Sequence, residues 1–245
     1  MNVRLTDRDV RMLAKCAVCR WLMTAQIHKL YFPDATLNAV QKRLRKLSDA
    51  GYLRSHQEHR TSEAFHAIGP KGKPVVEEKG IEATLGEEVP RQLEHLLGVN
   101  QIRIAVETSA VRAVFFFGYF QLANLGWKYQ TIPDAVFAVK DTARRTFLVE
   151  YDRGTETLEK LLVKLQRYDG GLPGFPFEAV LIITERSRRL ELLSRELRRK
   201  NLNVAVLASC MDGIHEAGFF ECDFVELPSG TRRKVLSTPA EEAGG

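Results

Sequence analysis

The chain has 245 residues, of which 44% are hydrophobic and 27% are charged, and its formal net charge is +5. This composition excludes an intrinsically disordered chain and leaves room for two modest domains, each with its own core. The positive excess is small, so affinity for nucleic acid has to come from local clusters of Lys and Arg.

Cysteine usage and hydropathy exclude further classes of protein. The four cysteines are too few and too scattered for a disulfide framework, and Cys16-x-x-Cys19 lacks the second ligand pair of a zinc site. The N-terminus has no apolar signal-peptide core, and the longest hydrophobic run, 113–117, is far too short to span a bilayer. We therefore expect a cytoplasmic protein without a membrane role.

The first predicted element is a helix from Thr6 to about Trp21. Thr6 and Asp9 have the spacing of a capping box, in which two side chains satisfy backbone amides at a helix start. The spacing of apolar residues predicts an inner face made of Val10, Leu13, Ala14 and Val18. The chain is therefore expected to begin with an amphipathic helix.

Two further helices are predicted next. Thr24 caps a short helix that ends before Pro33, and Thr36 caps a longer helix that runs to about Ala50, where Gly51 stops it. Apolar residues of the longer helix recur at helical spacing and form one stripe: Leu37, Val40, Leu44 and Leu47. This stripe is expected to face the core.

Polar and cationic residues occupy the other side of that longer helix. Amide and guanidinium groups bind base edges in the major groove of DNA, and cations bind phosphates. We therefore predict the following DNA contacts on this helix: Thr36, Asn38, Gln41, Lys42, Arg45 and Lys46.

A hairpin is predicted after the longer helix. Residues 52–54 and 64–68 are predicted to be its strands. Arg60, in the polar tip between them, is predicted to contact backbone phosphate or a minor groove. Three helices and a hairpin in this order predict a winged helix-turn-helix over residues 1–80 that binds double-stranded DNA. The alternative is a solvated amphipathic helix in a three-helix bundle, whose surface commonly has this composition.

The second half of the chain has a different pattern of predicted secondary structure. Residues 81–90 mix Gly, Pro and charges, which predicts a linker, and residues 91–237 predict a mixed α/β domain. After a long first helix, its predicted strands are 127–130, 135–139, 146–150, 179–184 and 203–207, and its predicted helices are 155–168 and 187–200. The tail, 238–245, is expected to be disordered. The fold class is therefore α+β.

Two carboxylates lie at the ends of neighbouring predicted strands. Hydrolysis of a phosphodiester needs a divalent cation to activate water, and oxygen ligands from adjacent strands can hold Mg²⁺. Asp134 and Glu150 meet this demand and are our predicted metal ligands. In the alternative interpretation, Asp134 is a turn residue after Pro133, and Glu150 to Asp152 form a polar strand exit.

The order of these elements, with Ile132-Pro133-Asp134 before one strand and Glu150 on the next, resembles the PD-(D/E)xK nuclease superfamily. The resemblance implies a nuclease-like core and metal-dependent DNA cleavage. Asp152 stands where that superfamily has its catalytic lysine, and Lys164 on the following helix is our candidate replacement. The predicted catalytic residues are therefore Asp134, Glu150, Asp152 and Lys164.

Three motifs extend the similarity over nearly the whole chain: Leu-Thr-x-Arg-Asp at 5–9, Arg-Leu-x-x-Leu at 43–47 leading to Gly-Tyr-Leu at 51–53, and Glu-Tyr-Asp-Arg-Gly-Thr at 150–155 followed by Lys164 and Tyr168. With them the sequence resembles the replication-relaxation family of bacterial plasmids and integrative elements. The resemblance implies a winged-helix DNA-binding protein of plasmid or mobile-element replication, nicking and relaxation, or mobilisation. Its expected partners are DNA, replication or mobilisation proteins, and a second copy of the chain.

Other functions fit the same residues. One is a transcriptional regulator whose nuclease-like domain is non-catalytic and serves dimerisation or partner binding, and another is an endonuclease of a defence system. Whether the chain is a Mg²⁺-dependent endonuclease or nickase, or no enzyme, stays open from the sequence. Metal-dependent strand cleavage that is abolished by removing a carboxylate separates the enzyme from the regulator.

Overall fold

A computed structural model describes residues 3–59, 61–85, 89–198, 200 and 202–237. The chain combines helices with two β-sheets, which confirms the α+β class, and it divides into two compact units, residues 1–104 and 105–245. The predictions for Arg60 and for the tail, 238–245, concern positions outside the described residues.

Helices dominate the first unit. They are α1 (Asp7–Cys19), α2 (Thr24–Tyr31), α3 (Leu37–Asp49), α4 (Gly72–Glu77) and α5 (Leu93–Glu107), of which α5 runs past residue 104. Three short strands, β1 (Leu22–Met23), β2 (Leu53–His56) and β3 (Phe65–Ile68), form an antiparallel sheet of order β1-β3-β2. The strands β2 and β3 form a hairpin directly after α3.

Helix α1 begins as predicted but buries a different face. The Thr6 hydroxyl accepts from the Asp9 amide at 3.3 Å, and Asp9 Oδ2 accepts from the Thr6 amide at 2.8 Å, which confirms the capping box. Of the predicted inner face, Leu13 is buried and Ala14 is half-buried against the core, whereas Val10 and Val18 are only half-buried. The buried residues are Asp9, Met12, Leu13, Cys16, Ala17 and Cys19. Asp9 is paired with Arg43 of α3, and this pairing determines which face of α1 is buried.

Helix α3 confirms three of the four residues in its predicted stripe. Val40, Leu44 and Leu47 are buried, and the Thr36 hydroxyl caps the helix by accepting from the Ala39 amide at 3.3 Å. Leu37 is 48% exposed, so its predicted burial is wrong. Helical side chains lean toward the N-terminus of their helix, so the first residue projects beyond the turns that cover the core.

The boundary of the first unit lies later than residues 81–90. Ala83 is buried in the core of this unit, and Ile104 belongs to the same core. From α5, the amide of Asn100 donates to the carbonyl oxygens of Cys19 at 3.0 Å and Trp21 at 2.8 Å. Ala83, within the segment that composition marks as a linker, therefore packs in the core, and the first unit takes most of α5.

The second unit is built on one seven-stranded sheet of order β10-β9-β8-β7-β6-β5-β4. Its strands are β4 (Ala113–Gly118), β5 (Ala135–Lys140), β6 (Arg144–Asp152), β7 (Ala179–Thr184), β8 (Val206–Cys210), β9 (Phe224–Leu227) and β10 (Arg232–Arg233). Its helices are α6 (Tyr119–Asn124), α7 (Leu158–Asp169), α8 (Ser187–Leu197) and α9 (Met211–Ala217). Strands β6, β7 and β8 run parallel, and the other neighbours are antiparallel.

The predicted central strands match β5, β6 and β7, but the first strand of the meander does not. Residues 127–130 form no strand, and β4 instead contains the hydrophobic run 113–117. The run pairs antiparallel with β5, with a β-bulge or irregularity between Ala113 and Phe115. Strand β8 begins at Val206, later than predicted, and α6, α9, β9 and β10 were not predicted.

The sheet of the second unit places the ends of three elements together. Leu161 and Leu165 of α7 share one hydrophobic cluster with Val136 of β5 and Leu148 of β6. Ala135, the first residue of β5, pairs with Val149 of β6, so the residue before β5 lies beside the last residues of β6.

No helix among the described residues is long and apolar enough to cross a membrane.

Candidate nucleic-acid interface and carboxylate cluster

The residues predicted to contact DNA from α3 are all at the surface. Thr36, Asn38, Gln41, Lys42, Arg45 and Lys46 are exposed. Lys42, Arg45 and Lys46 follow each other at helical spacing, so they place three cations on one side of a two-turn segment. A phosphate backbone is the kind of ligand that such a row of cations attracts.

A groove runs between α3 and the β2–β3 hairpin. Its volume is about 780 Å³. Its walls include Leu37, Gln41, Arg45 and Ser48 from α3, and Ser55, Gln57, Ser62 and Glu63 from the hairpin. The carboxylate of Glu63 accepts a hydrogen bond from the Ala25 amide at 2.7 Å, which ties the hairpin to the start of α2. Helix and hairpin therefore border one concave surface.

Arg43 is on the same helix but is held by an internal partner. Its Nε donates to Asp9 Oδ1 at 3.0 Å, and its Nη2 donates to Asp9 Oδ2. Burial raises the pKa of Asp9, but the hydrogen bonds from Arg43 and Thr6 outweigh it and hold that pKa below its usual value. The pair joins the 5–9 motif to the 43–47 motif and fixes α3 on α1.

Replacement of Arg43 by Ala is expected to lower the free energy of unfolding by about 2 kcal/mol, because it leaves the buried Asp9 carboxylate without its cation. The estimate lies below the range for fully buried pairs because Arg43 is 25% exposed. Arg45→Ala, an exposed change on the same helix, is the control and should shift stability by less than about 0.5 kcal/mol. Urea denaturation measures both, and equal losses would contradict the assignment.

A buried histidine connects α2 with both hairpin strands. His66 is 4% exposed, its Nδ1 lies 2.8 Å from the Ser55 hydroxyl, and its Nε2 lies 3.0 Å from the Thr24 hydroxyl. The Thr24 hydroxyl donates to the Ala64 carbonyl at 3.1 Å, so its oxygen accepts from Nε2–H and the Ser55 hydroxyl donates to Nδ1. Burial lowers the pKa of His66 to about 4, so the ring is neutral at physiological pH.

His66 predicts an acid-sensitive first unit. Its folded-state pKa is about 4 and the unfolded value is about 6.5, so the unfolded chain binds the proton first. Stability is therefore full above pH 6.5 and falls by about 1.4 kcal/mol per pH unit between pH 6.5 and 4. In His66→Gln, this part of the pH dependence should disappear. Denaturation curves from pH 7 to 4 test it, and an unchanged slope in the variant contradicts it.

In the second unit, the structure brings Asp134, Glu150 and Lys164 together. Glu150 is 2% exposed, Lys164 Nζ donates to its Oε2 at 2.7 Å, and the Tyr168 hydroxyl donates to its Oε1 at 2.6 Å. Asp134 Oδ2 accepts from the Tyr151 amide at 2.8 Å, which holds it beside the end of β6. The pairing of β5 with β6 therefore brings two carboxylates together at one edge of the sheet, and α7 adds one ammonium.

The charges of this cluster act on each other. Burial, and then the charge of Asp134, raise the pKa of Glu150, while Lys164 and Tyr168 oppose that rise. Burial alone lowers the pKa of Lys164, but Glu150 and Asp134 outweigh it, so its pKa is raised and the ammonium is retained. The ammonium of Lys164 therefore keeps its charge because of Glu150 and Asp134, at a site that is partly shielded from water.

Asp152 has a different environment from Glu150. Arg189 of α8 donates to it through Nε at 2.6 Å and Nη2 at 3.3 Å, and the Gly154 amide donates at 2.8 Å. Arg189 also donates to the Glu156 carbonyl at 2.7 Å. Asp152 therefore anchors the loop after β6 to α8 and neutralises Arg189.

The groove beside α3 and the Asp134–Glu150–Lys164 cluster both lie within the part of the chain that a protein-family model matches. A model of the replication-relaxation family matches residues 13–170, which is more than half of the chain. The chain belongs to the replication-relaxation family. Searches of curated proteins and of solved structures gave no match. The family match covers α3, the hairpin and the Asp134–Glu150–Lys164 cluster, and it ends directly after α7.

The donor set of this replication-relaxation protein is compatible with Mg²⁺ but sparse. In the part of the chain that the structure describes, no group of three or more His, Cys, Asp or Glu side chains is placed to hold a metal. Mg²⁺ is commonly bound by one or two carboxylates, with water and substrate phosphates as its other ligands. Asp134 and Glu150 are therefore donors of the kind that hold Mg²⁺, and a metal at Glu150 would compete with the hydrogen bonds that Lys164 and Tyr168 donate to it.

Sequence reasoning assigned no role at these sites to several of their residues. Tyr168 was named with Lys164 in the family motif, and its spacing of four residues from Lys164, which places both on one face of α7, was a usable signal for its role. Arg43, Arg189 and His66 act through partners far away in sequence, at separations of 34, 37 and 42 residues. Composition and periodicity carry no information about such pairings.

Proposed function

We propose that this member of the replication-relaxation family binds double-stranded DNA through α3 and the hairpin, and acts in replication, relaxation or mobilisation of a plasmid or mobile element. The observation that carries the proposal is the exposed cationic face of α3 beside a groove. Lys42 and Lys46 are assigned to phosphates, and Gln41 and Arg45 to base edges. Thr36 and Asn38 at the helix start are further proposed contacts.

The topology of the first unit supports this proposal. The order α1-β1-α2-α3-β2-β3, with sheet order β1-β3-β2, is compatible with the arrangement expected of a winged helix-turn-helix. In such domains the last helix of the three enters the major groove, and its N-terminal residues contact base edges. Arg60, at the tip of the hairpin by sequence, is proposed to contact the phosphate backbone.

A footprint of the full chain on the DNA that flanks its own gene tests this function. We expect protection of a discrete duplex site, strongest at low salt, because phosphate contacts dominate affinity. The absence of protection at micromolar protein, on this DNA and on a random duplex library, contradicts it. Partners such as a second copy of the chain or replication proteins would appear as extended protection.

We infer a second candidate function, metal-dependent phosphodiester cleavage, from the cluster of Asp134, Glu150 and Lys164. The order α5-β4-α6-β5-β6-α7-β7 resembles the helix, three-stranded meander, helix and strand of a PD-(D/E)xK core, with α6 inserted between the first two strands, and this supports the inference. Mg²⁺ held by the two carboxylates would activate water and neutralise charge on phosphorus. Lys164 would orient the scissile phosphate, and Asp152, bound to Arg189, would position the end of β6.

The alternative is a regulator whose second unit does not cleave DNA. In that case Lys164 and Tyr168 satisfy a buried Glu150 and the cluster serves stability. Cleavage assays on DNA that carries the footprinted site decide between the two. The DNA-binding proposal for the first unit is the same in both.

A further inference from the structure

Leu37 is an unusual surface residue of the first unit. It is the first residue of α3, and 48% of its surface is exposed. Among the described residues between 3 and 104, it is the large apolar side chain left exposed to this degree. A single exposed leucine is ordinary on protein surfaces, so its position has to carry the inference.

Leu37 is the first of three residues of α3 that follow one another along the groove between α3 and the hairpin. Leu37, Gln41 and Arg45 are four residues apart in turn, and all three line the cavity between α3 and the hairpin. Residues at this spacing are neighbours on a helix surface, with Cβ atoms about 5–6 Å apart. One apolar, one amide and one guanidinium side chain therefore form a continuous strip.

The chemistry of this strip corresponds to features of the major groove. A Gln amide pairs with the edge of adenine, and an Arg guanidinium pairs with the edge of guanine. Leu37 has no hydrogen-bonding atom in its side chain, and the apolar group on a major-groove edge is the C5-methyl of thymine. The N-terminal residues of a recognition helix are those that reach base edges.

We propose that Leu37 is a specificity-determining residue that contacts the C5-methyl group of a thymine in the major groove of the bound duplex. The proposal rests on the proposed DNA binding by α3. It names a chemical requirement of the target: at least one thymine whose methyl group contributes to affinity. Burial of the methyl group against the leucine side chain explains why an apolar residue stands at an exposed helix start.

Substitution of uracil for thymine tests the proposal, because uracil differs only by the missing methyl group. The full chain is first used to select sites from a random duplex pool, and each thymine of a selected site is then replaced in turn. At one position in the selected site, uracil should weaken binding about 4-fold, since a buried methyl group contributes about 0.8 kcal/mol and 1.4 kcal/mol is tenfold.

Two variants assign that loss to Leu37. Leu37→Ala should bind the thymine and uracil duplexes equally, whereas Leu37→Met, which keeps an apolar side chain, should still discriminate between them. Both should melt at the wild-type temperature, because the residue lies outside the core. Equal binding of thymine and uracil by the wild type, or full discrimination by Leu37→Ala, overturns the proposal and leaves DNA binding intact. Failure to select any duplex overturns the proposed function as well.

Discussion

The double variant Lys42→Glu, Arg45→Glu is expected to bind duplex DNA about 100-fold more weakly than the wild type at moderate salt. Each lost contact to a base or phosphate costs about 1–3 kcal/mol, and the new carboxylates repel the backbone. Both side chains are exposed and outside the buried stripe of α3, so the fold should persist. Fluorescence anisotropy with a labelled duplex measures the change, and circular dichroism verifies the fold.

The matched control changes the charge equally at a different surface. Arg11 of α1 and Lys79 after α4 are exposed cations, and Arg11→Glu, Lys79→Glu also alters the net charge by four. If binding depends on a defined face of α3, the control should lose far less affinity. Equal losses in both double variants would mean that only the global charge matters, and the recognition-helix assignment would be wrong.

Asp134→Asn is expected to lower any Mg²⁺- or Mn²⁺-dependent cleavage of cognate DNA by about 100-fold or more. A metal-bound transition state is stabilised by several kcal/mol, and about 3 kcal/mol corresponds to two orders of magnitude. The Asn side-chain oxygen can still accept from the Tyr151 amide, so the local structure should be retained. Nicking and linearisation of a plasmid that carries the site measure the activity, and DNA affinity should stay unchanged.

Further variants connect this activity with the cluster. Lys164→Gln should also lose cleavage, because the ammonium at Glu150 is the cation assigned to the phosphate. Glu159→Gln removes an exposed carboxylate from the first turn of the same helix and should cleave normally. No metal binding and no cleavage by the wild type with either ion would leave the second unit as a scaffold for partners.

Local signals in the sequence predicted much of the fold. The capping box of Thr6 and Asp9 and the cap at Thr36 depend on residues three positions apart, and both are present. Strands β5, β6 and β7 are strongly apolar and were predicted within a few residues. Adjacent strand ends were expected to bring Asp134 and Glu150 together, and the charge of Asp134 acts on Glu150 in the structure.

Long-range packing accounts for what the sequence did not predict. Periodicity placed Leu37 in the stripe, but only the extent of the core decides that the first turn of α3 lies beyond it. The buried face of α1 depends on the pairing of Asp9 with Arg43, and the role of Asp152 depends on Arg189. The unit boundary depends on Asn100 contacting the end of α1. None of these pairings has a local signature.

The salt dependence of duplex affinity tests the central claim, DNA binding by α3, most directly. For the full chain, log K should fall linearly with log salt concentration, with a slope of about 0.9 per phosphate neutralised. Lys46→Ala should reduce the steepness by about 1, whereas Lys79→Ala should leave it unchanged. A wild-type slope near zero, or the same slope in Lys46→Ala as in the wild type, would contradict the claim.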